Sequence, residues 1–542
     1  MNTKFKMRMT ATALAMVLAV SGLAGCSSNS NGNGANGNKN TNSGTTPNEA
    51  ATNKPAEPEG PLKIKAMSVL FGDAPAMPNP ALEAVQKAGN VELDIEYVPS
   101  DVYNDKLNIA MTNNEYDLIL WEKGKADEKF IKYAKQGAFH DVSEMVKGKN
   151  KLDEIPAATW NLTAVDGKNF GIPRPRASFG NGESNIIIRK DWLDQYGLPV
   201  PKTVDELTNA LKVFKEKDPA GGGKTIPLSL YGSWAGNVTY DYVFGNTTPF
   251  RFAFGMPAEW RIEGDKAVHE SQTPEYKKYL EFVKTMWADK LIDKDAAILK
   301  GDQATNKFQS GVVGAIANNV RMIGEPEIEK IQKNDPKAEL AFIPVLTGPD
   351  GKAGTNLTSG YYGLWVIPSK VDKEKAERIV EFLNWSADGK VNGDLSLGIK
   401  GIHYSEVNVK DANAVPPIRE VIQTDEQKEA TKKDRPDHFI IQNPFSPYIN
   451  NGRSLEVVKQ QRAYFDEMNK KEWLIPNPFD GMSSETLAKN PDNRKKLDQA
   501  ALRFVLGEVQ WDGVQKEIDA WVKAYGETIG KEYLDQYNAA QK

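Results

Sequence analysis

The feature that most restricts the fold is a change of period between residues 61 and 121. Val91, Leu93, Ile95 and Tyr97 alternate with Glu92, Asp94 and Glu96, the period-2 signature of a strand with one polar face. Ahead of it stand a strand candidate, Lys63–Leu70, and a helical stretch over 81–88 that Gly89 can stop. After it a short helix over Tyr103–Met111 leads to the apolar run Asp117–Trp121. Strand, helix and strand at this spacing predict right-handed crossovers and a mainly parallel α/β sheet. Ligands in such sheets sit beyond the carboxyl ends of strands, so Phe71–Asp73 and Trp121–Gly124 are expected to share one rim.

The same alternation continues downstream. Thr203 and Glu206 form a capping box ahead of the stripe Leu207, Leu211, Phe214, and Thr273-Pro274 opens a helix whose inner face is Tyr276, Leu280, Val283 and Trp287. A strand is expected at Gly363–Pro368 and a helix at Lys373–Ser386, and the last 70 residues read as mostly helical. With 542 residues, the chain has room for two to four domains. A net charge of −5 without clustered basic runs argues against a nucleic-acid partner. One cysteine excludes internal disulfides and thiolate clusters, and four scattered histidines offer no zinc site. HExxH, GxSxG and Walker motifs are absent, and no catalytic residue, metal or cofactor is predicted.

The amino end carries Lys4, Lys6 and Arg8, then an apolar run through Thr10–Val20 that is too short to span a bilayer, then Leu23-Ala-Gly-Cys26. This resembles the bacterial lipobox, which implies that residues 1–25 are a signal peptide and that Cys26 is lipidated. Cleavage would leave 517 residues at −8. Residues 27–60 hold no aromatic and no large aliphatic side chain, so residues 26–60 are expected to be a disordered tether of roughly 30 Å root-mean-square span. The expected location is the extracellular side of the cell membrane.

Ile187 to Leu207 and Lys212 to Pro219 resemble the family 1 extracellular solute-binding proteins, lipoprotein receptors of ABC sugar importers. Further resemblances lie at Asp117–Trp121, Gly137–Val142, Gly167–Pro173, Phe308–Ala317, Gly398–Tyr404 and Phe504–Asp512. The resemblance implies a periplasmic-binding-protein-like type II fold, with two α/β lobes, a hinge and a ligand cleft. The lobes are assigned to 61–172 plus 342–386 and to 173–341 plus 387–542. It implies an oligosaccharide ligand, an ABC permease as membrane partner and a monomer. Relatives often carry a calcium loop reading Asp-Pro-Asp-Gly-Asn-Gly-Lys where this chain has Asp218-Pro-Ala-Gly-Gly-Gly-Lys224. Calcium takes about six to eight oxygen ligands, so no tight calcium is expected here.

A sugar cleft needs flat aromatics for ring faces and fixed polar groups for hydroxyl edges. Trp121, ending a strand at the rim, resembles a ring-stacking tryptophan of maltose-type receptors; core packing is the other reading. Phe71 and Asp73 follow the first strand. Tyr361 and Tyr362 are expected in a loop ahead of the Gly363 strand. Trp234 and Trp260 lie in an aromatic-dense stretch, whereas Trp287 and Trp385 read as structural. Asn318, Asn319 and Arg321 match a ligand loop of the family, with helix capping as the alternative. Arg174 and Arg176 could grip a uronic-acid carboxylate or pair with a protein acid; Arg176 is taken into the candidate site. A polysaccharide-degrading enzyme and a receptor for peptides or other polar solutes are the competing functions.

Overall fold

The computed structural model describes residues 60–70, 74–100, 102–122, 127–175, 185–231, 244, 248–318, 320–323, 325–413, 418–445, 455–490 and 492–540. Its strands are Leu62–Leu70 (β1), Val91–Pro99 (β2), Leu118–Trp121 (β3), Ile172–Pro175 (β4), Asn185–Arg189 (β5), Ile226–Ser229 (β6), Trp260–Glu263 (β7), Lys266–His269 (β8), Val313–Asn318 (β9) and Leu340–Ile343 (β10). They are followed by Thr355–Asn356 (β11), Tyr361–Val366 (β12), Glu406–Asp411 (β13), Ile418–Ile422 (β14) and Leu474–Ile475 (β15). Two sheets carry the architecture: β2-β1-β3-β12-β4 and β10-β5-β9-β6.

Local chemistry accounts for the helix limits. The helix Pro80–Gly89 starts where the Asn79 side chain accepts the Ala81 and Leu82 amides. It ends at Asn90, whose left-handed φ of 49° closes the last turn. The Thr203–Glu206 capping box is formed in full and opens the helix Val204–Lys217. Its Leu207, Leu211 and Phe214 are buried on the face predicted from their spacing. Helix Lys373–Ser386 has the predicted bounds, with Asp372 as its cap.

Each sheet has its own core. The first gathers residues from β1 to β4, from β12 with the helix behind it, and from Phe439–Ile441. In the second sheet Ile186 and Ile188 face a core that reaches Trp521 and Tyr533, while Ile187 and Phe342 face another with Phe465 and Met468. Strands buried on both faces read as unbroken apolar runs, as Ile186-Ile-Ile188 does.

The sheets are mixed rather than mainly parallel. β1 pairs in parallel with β2 and β3, but β12 runs antiparallel to both β3 and β4. The cause is connectivity: β4 leads into β5 of the other sheet, and β10 leads back to β12, so these strands are not joined by returning helices. Two expected lobe limits, 172/173 and 341/342, fall inside β4 and β10.

A buried ionic cluster ties the β7–β8 hairpin to the carboxyl-terminal helices. Glu270 bonds Arg251 and pairs with Arg494, which also meets Asp498 and the His269 ring. Glu259 stands beside them, at φ 70°. Burial and then the Glu270 charge push Glu259 up from 4.5 to about 7. Burial likewise raises Asp498 to about 7, against the pull of Arg494. Folded carboxyls with raised pKa values hold protons that the unfolded chain has released near pH 4. The contribution of these two groups to stability is therefore fully present below about pH 4 and is lost as pH rises through about 7. Glu259→Gln is expected to flatten that decline and to raise stability at pH 7.5 by up to about 3 kcal/mol, at roughly 1.4 kcal/mol per pH unit. Urea unfolding of both proteins across this range checks it; parallel pH profiles would contradict the assignment.

Candidate functional site

Strand direction brings the functional ends together. β1 and β3 are parallel, so their carboxyl ends share an edge of the first sheet. β12 is antiparallel to β3, which sets its amino end, Tyr361 and Tyr362, on that edge; β4 ends there too, with Pro175 opposite Tyr361. In the second sheet the carboxyl ends of β6, β9 and β10 share an edge with the amino end of β5, where Asn185 pairs with Asn318. The chain crosses from the first edge to the second after Pro175 and returns between Ile343 and Tyr361.

A bulge shapes the first edge. Tyr361 stands opposite Pro175 and Leu364 opposite Pro173, so β12 carries one residue more than β4 over this span. Gly363 makes it possible: its φ is +79°, and a Cβ there would lie 3.0 Å from the Trp121 carbonyl oxygen. Tyr361 and Tyr362 are thus strand residues rather than loop residues, and both are half-buried. The Arg174 guanidinium carbon lies 5.4 Å from the centre of the Tyr362 ring. Behind Arg174, Trp365 donates its indole N–H to the Ile441 carbonyl and Gln442 donates to that of Pro173, at 3.0 and 2.8 Å.

Several polar atoms near these edges are buried without a hydrogen-bond partner: Arg174 Nε, His438 Nδ1 and Gln442 Oε1 by the first sheet, and Ser229 Oγ, the last residue of β6, by the second. Both amide atoms of Gln461 share that state. Gln461 is on the helix Leu455–Met468, which packs against the 3-10 turn Val320–Ile323 following β9. Such atoms are uncommon in folded proteins and call for a partner, whether water or ligand.

Two of the tryptophans expected as sugar platforms, Trp121 and Trp260, are core residues. Trp121 is 1% exposed. Its indole N–H donates to Asp127 at 3.0 Å, and Phe130, Tyr133 and Phe139 surround the ring at 5.6–5.9 Å. The helix Glu128–Lys135, capped by the same Asp127, folds Phe130 and Tyr133 down onto it. Trp260, 2% exposed, is enclosed by His269, Phe479, Trp521 and Tyr533, because the β7–β8 hairpin pairs it with His269. Asn318 is buried at the end of β9 and donates to Thr305 Oγ1 at 3.1 Å. Arg321 falls in the turn Val320–Ile323. Cys26, Phe71, Asp73, Arg176, Trp234 and Asn319 lie outside the described residues. Gln442, His438, Ser229 and Gln461 are additions that no local motif announces.

A depression of about 530 Å³ opens elsewhere, at the amino edge of the first sheet, lined by Leu62, Asn90, Val91, Lys151, Arg378 and Trp385 among others. It is separated from the strand-end edge by the length of β1.

The loop at 218–225 does not suit calcium. Asp218, at φ 45°, ends the helix Val204–Lys217 and turns its carboxylate inward, accepting the Gly223 and Thr225 amides at 2.6 and 3.0 Å. Hydrogen bonds from Thr225 and then Gly223 hold its pKa below the ordinary value. Gly221, Gly222 and Gly223 take left-handed φ values of 66–73° and bring no oxygen side chain. A carboxylate already committed to backbone amides, without a second one, cannot supply the ligand count calcium requires.

Comparison with known proteins follows the same lines. The family model described as bacterial extracellular solute-binding protein matches residues 71–388. The chain is 27% identical over 502 residues to the polygalacturonan/rhamnogalacturonan-binding protein YtcQ of Bacillus subtilis (strain 168), covering 91% of this chain and 95% of that one. Lipoprotein LipO of the same strain is 28% identical over 490 residues, covering 88% and 93%. Among solved structures, the Streptococcus pneumoniae ABC-transporter substrate-binding protein FusA in complex with kestose superposes with a TM-score of 0.63 at 20% identity, covering 88% of this chain and 100% of that one.

The 218–225 loop gives a direct test. Millimolar calcium and EDTA should leave the melting temperature equal, and Asp218→Ala should lower it by the same amount in both. A calcium-dependent rise that Asp218→Ala abolishes would overturn the assignment.

Proposed function

The chain belongs to the bacterial extracellular solute-binding protein family, and from that premise we propose that it is the substrate-binding component of an ABC transporter, capturing an oligosaccharide and delivering it to a membrane permease. Its fold is the type II periplasmic-binding fold. The observation that carries the mechanism is the pair of sheets, each packed on its own core residues, whose strand-end edges are joined by crossing segments. A ligand touching both edges binds the closed arrangement more tightly than the open one and shifts the population by that difference. On the first edge Tyr361 and Tyr362 offer ring faces and Arg174 a donor fork. On the second, Ser229 and Asn318 offer polar groups at the ends of β6 and β9.

The curated relatives and solved neighbours bind polygalacturonan or rhamnogalacturonan in one case and kestose in another, which supports an oligosaccharide over a peptide. Family members bind rather than convert their ligands, so the captured sugar should be released unchanged. Proteins of this family are extracellular or membrane-anchored, and we infer the finer arrangement from the sequence: Cys26 carries the lipid and residues 26–60 tether a monomeric receptor near its permease.

Two measurements test this reading. In a calorimetric and thermal-shift panel, neutral and acidic oligosaccharides at a hundredfold excess over Kd should stabilise the protein by about 2.7 kcal/mol, with each sugar intact by chromatography afterwards. Stabilisation by peptides alone would discard the carbohydrate, and shortened sugars would reassign the protein as an enzyme. Separately, Cys26→Ala should move the protein from the membrane fraction to the medium; retention of the variant on membranes would remove the lipid anchor.

A further inference from the structure

Three deeply buried arginines of the second core each meet carboxylate oxygens: Arg189 meets Asp191 and Asp335, Arg251 meets Glu270, and Arg494 meets Glu270 and Asp498. Arg174, half-buried at the first edge, does not. Among the described residues no carboxylate is within ion-pair distance of its guanidinium, and its Nε is buried without a hydrogen-bond partner. Its attractions come from Tyr362, through both the ring and a hydrogen bond to the side chain, and more weakly from Asp437 and Tyr97. Burial lowers its pKa from the ordinary value despite them.

Beside Arg174 lies a cavity of about 20 Å³, lined by Ser68, Ile95, Trp365 and His438 among others, whose His438 Nδ1 is also unpartnered. That volume suits one water, not a counter-ion as large as a carboxylate. Arg174 is the penultimate residue of β4, so its strand delivers it to the edge where ligands meet this fold. A cation drawn partly out of water without an anion costs free energy that an incoming anion returns, and a guanidinium matches a carboxylate with two parallel hydrogen bonds. The ring of Tyr362 beneath it suits the apolar face of a pyranose. A uronate residue presents that face and a carboxylate together.

We propose that Arg174 sets the charge preference of the site by receiving the carboxylate of an acidic oligosaccharide, a uronate-containing one, with Tyr362 under the same sugar ring. This rests on the receptor reading above. The probes are trisaccharides of galacturonate, glucuronate and mannuronate, each as the free acid and as its methyl ester, which keeps the skeleton and removes the charge. They are titrated by calorimetry into the purified full chain, with neutral oligosaccharides alongside.

At least one free acid should bind tenfold or more tightly than its ester, and that advantage should shrink as salt rises. Arg174→Gln should bring the acid to the affinity of the ester while leaving the ester unchanged, and Arg174→Lys should keep part of the gap. Equal affinity for acid and ester in the unaltered protein, or an equal loss of both in Arg174→Gln, would overturn the proposal and leave the receptor reading standing. Absence of binding by any acidic or neutral oligosaccharide would overturn both. Should Arg174→Gln fold poorly, the acid-to-ester ratio and its salt dependence in the unaltered protein still decide.

Discussion

The polypeptide passes between the sheets where strand ends of the first can hand over to strand ends of the second, and it passes between their cores once more, from Ile441 to Phe465. β4 leaves the first sheet beside the amino end of β12, and β5 begins beside the carboxyl end of β9. Because backbone groups in a sheet must stay paired along each strand, a strand is abandoned only at its end. Both handovers therefore fall on the same edges as the loops that meet ligands in folds of this kind. Hinge and binding edge are one piece of covalent structure, and motion of one sheet against the other necessarily changes the distance between Tyr361 on one side and Asn318 on the other.

What fills those edges follows from which side chains the cores leave out. The largest aromatics are consumed by packing: Trp121 under the helix behind it, Trp260 inside the hairpin and terminal-helix cluster. The half-buried tyrosines of β12 stay at the edge because Gly363 inserts an extra residue just ahead of the buried Leu364-Trp365-Val366 run. Among the described residues, the candidate site adds polar atoms without partners, such as Arg174 Nε and Ser229 Oγ, to these tyrosines.

Local signals in the sequence were enough for the elements it named. The helical stretch over 81–88, the Thr203–Glu206 box, the helix at Lys373–Ser386 and the alternation through Val91–Tyr97 each act within a few residues, and each element stands where its pattern predicts. The mixed sheets were not legible, because antiparallel pairing of β12 with β3 depends on residues more than two hundred positions apart. The burial of Trp121 did have a nearby sign: Asp127 with Phe130 and Tyr133 places a cap and two rings on the next helix. A strand-ending tryptophan followed by such a helix is better read as core. The unpartnered Oε1 of Gln442 and the unpartnered amide of Gln461 have no sequence trace, since they depend on what distant segments fail to supply.

The entry of the chain into the first sheet has a mechanical consequence. β1 begins at Leu62, next to Gly60, whose carbonyl accepts a hydrogen bond from Arg378. The strand then runs nine residues, about 30 Å, between two parallel neighbours. A force applied at Leu62 along the strand axis would load the rows of hydrogen bonds on both flanks simultaneously. They are sheared together instead of being unzipped one at a time, the geometry in which a sheet resists rupture best. A sheet loaded along this strand would hold the shape of its far edge until both rows gave way together.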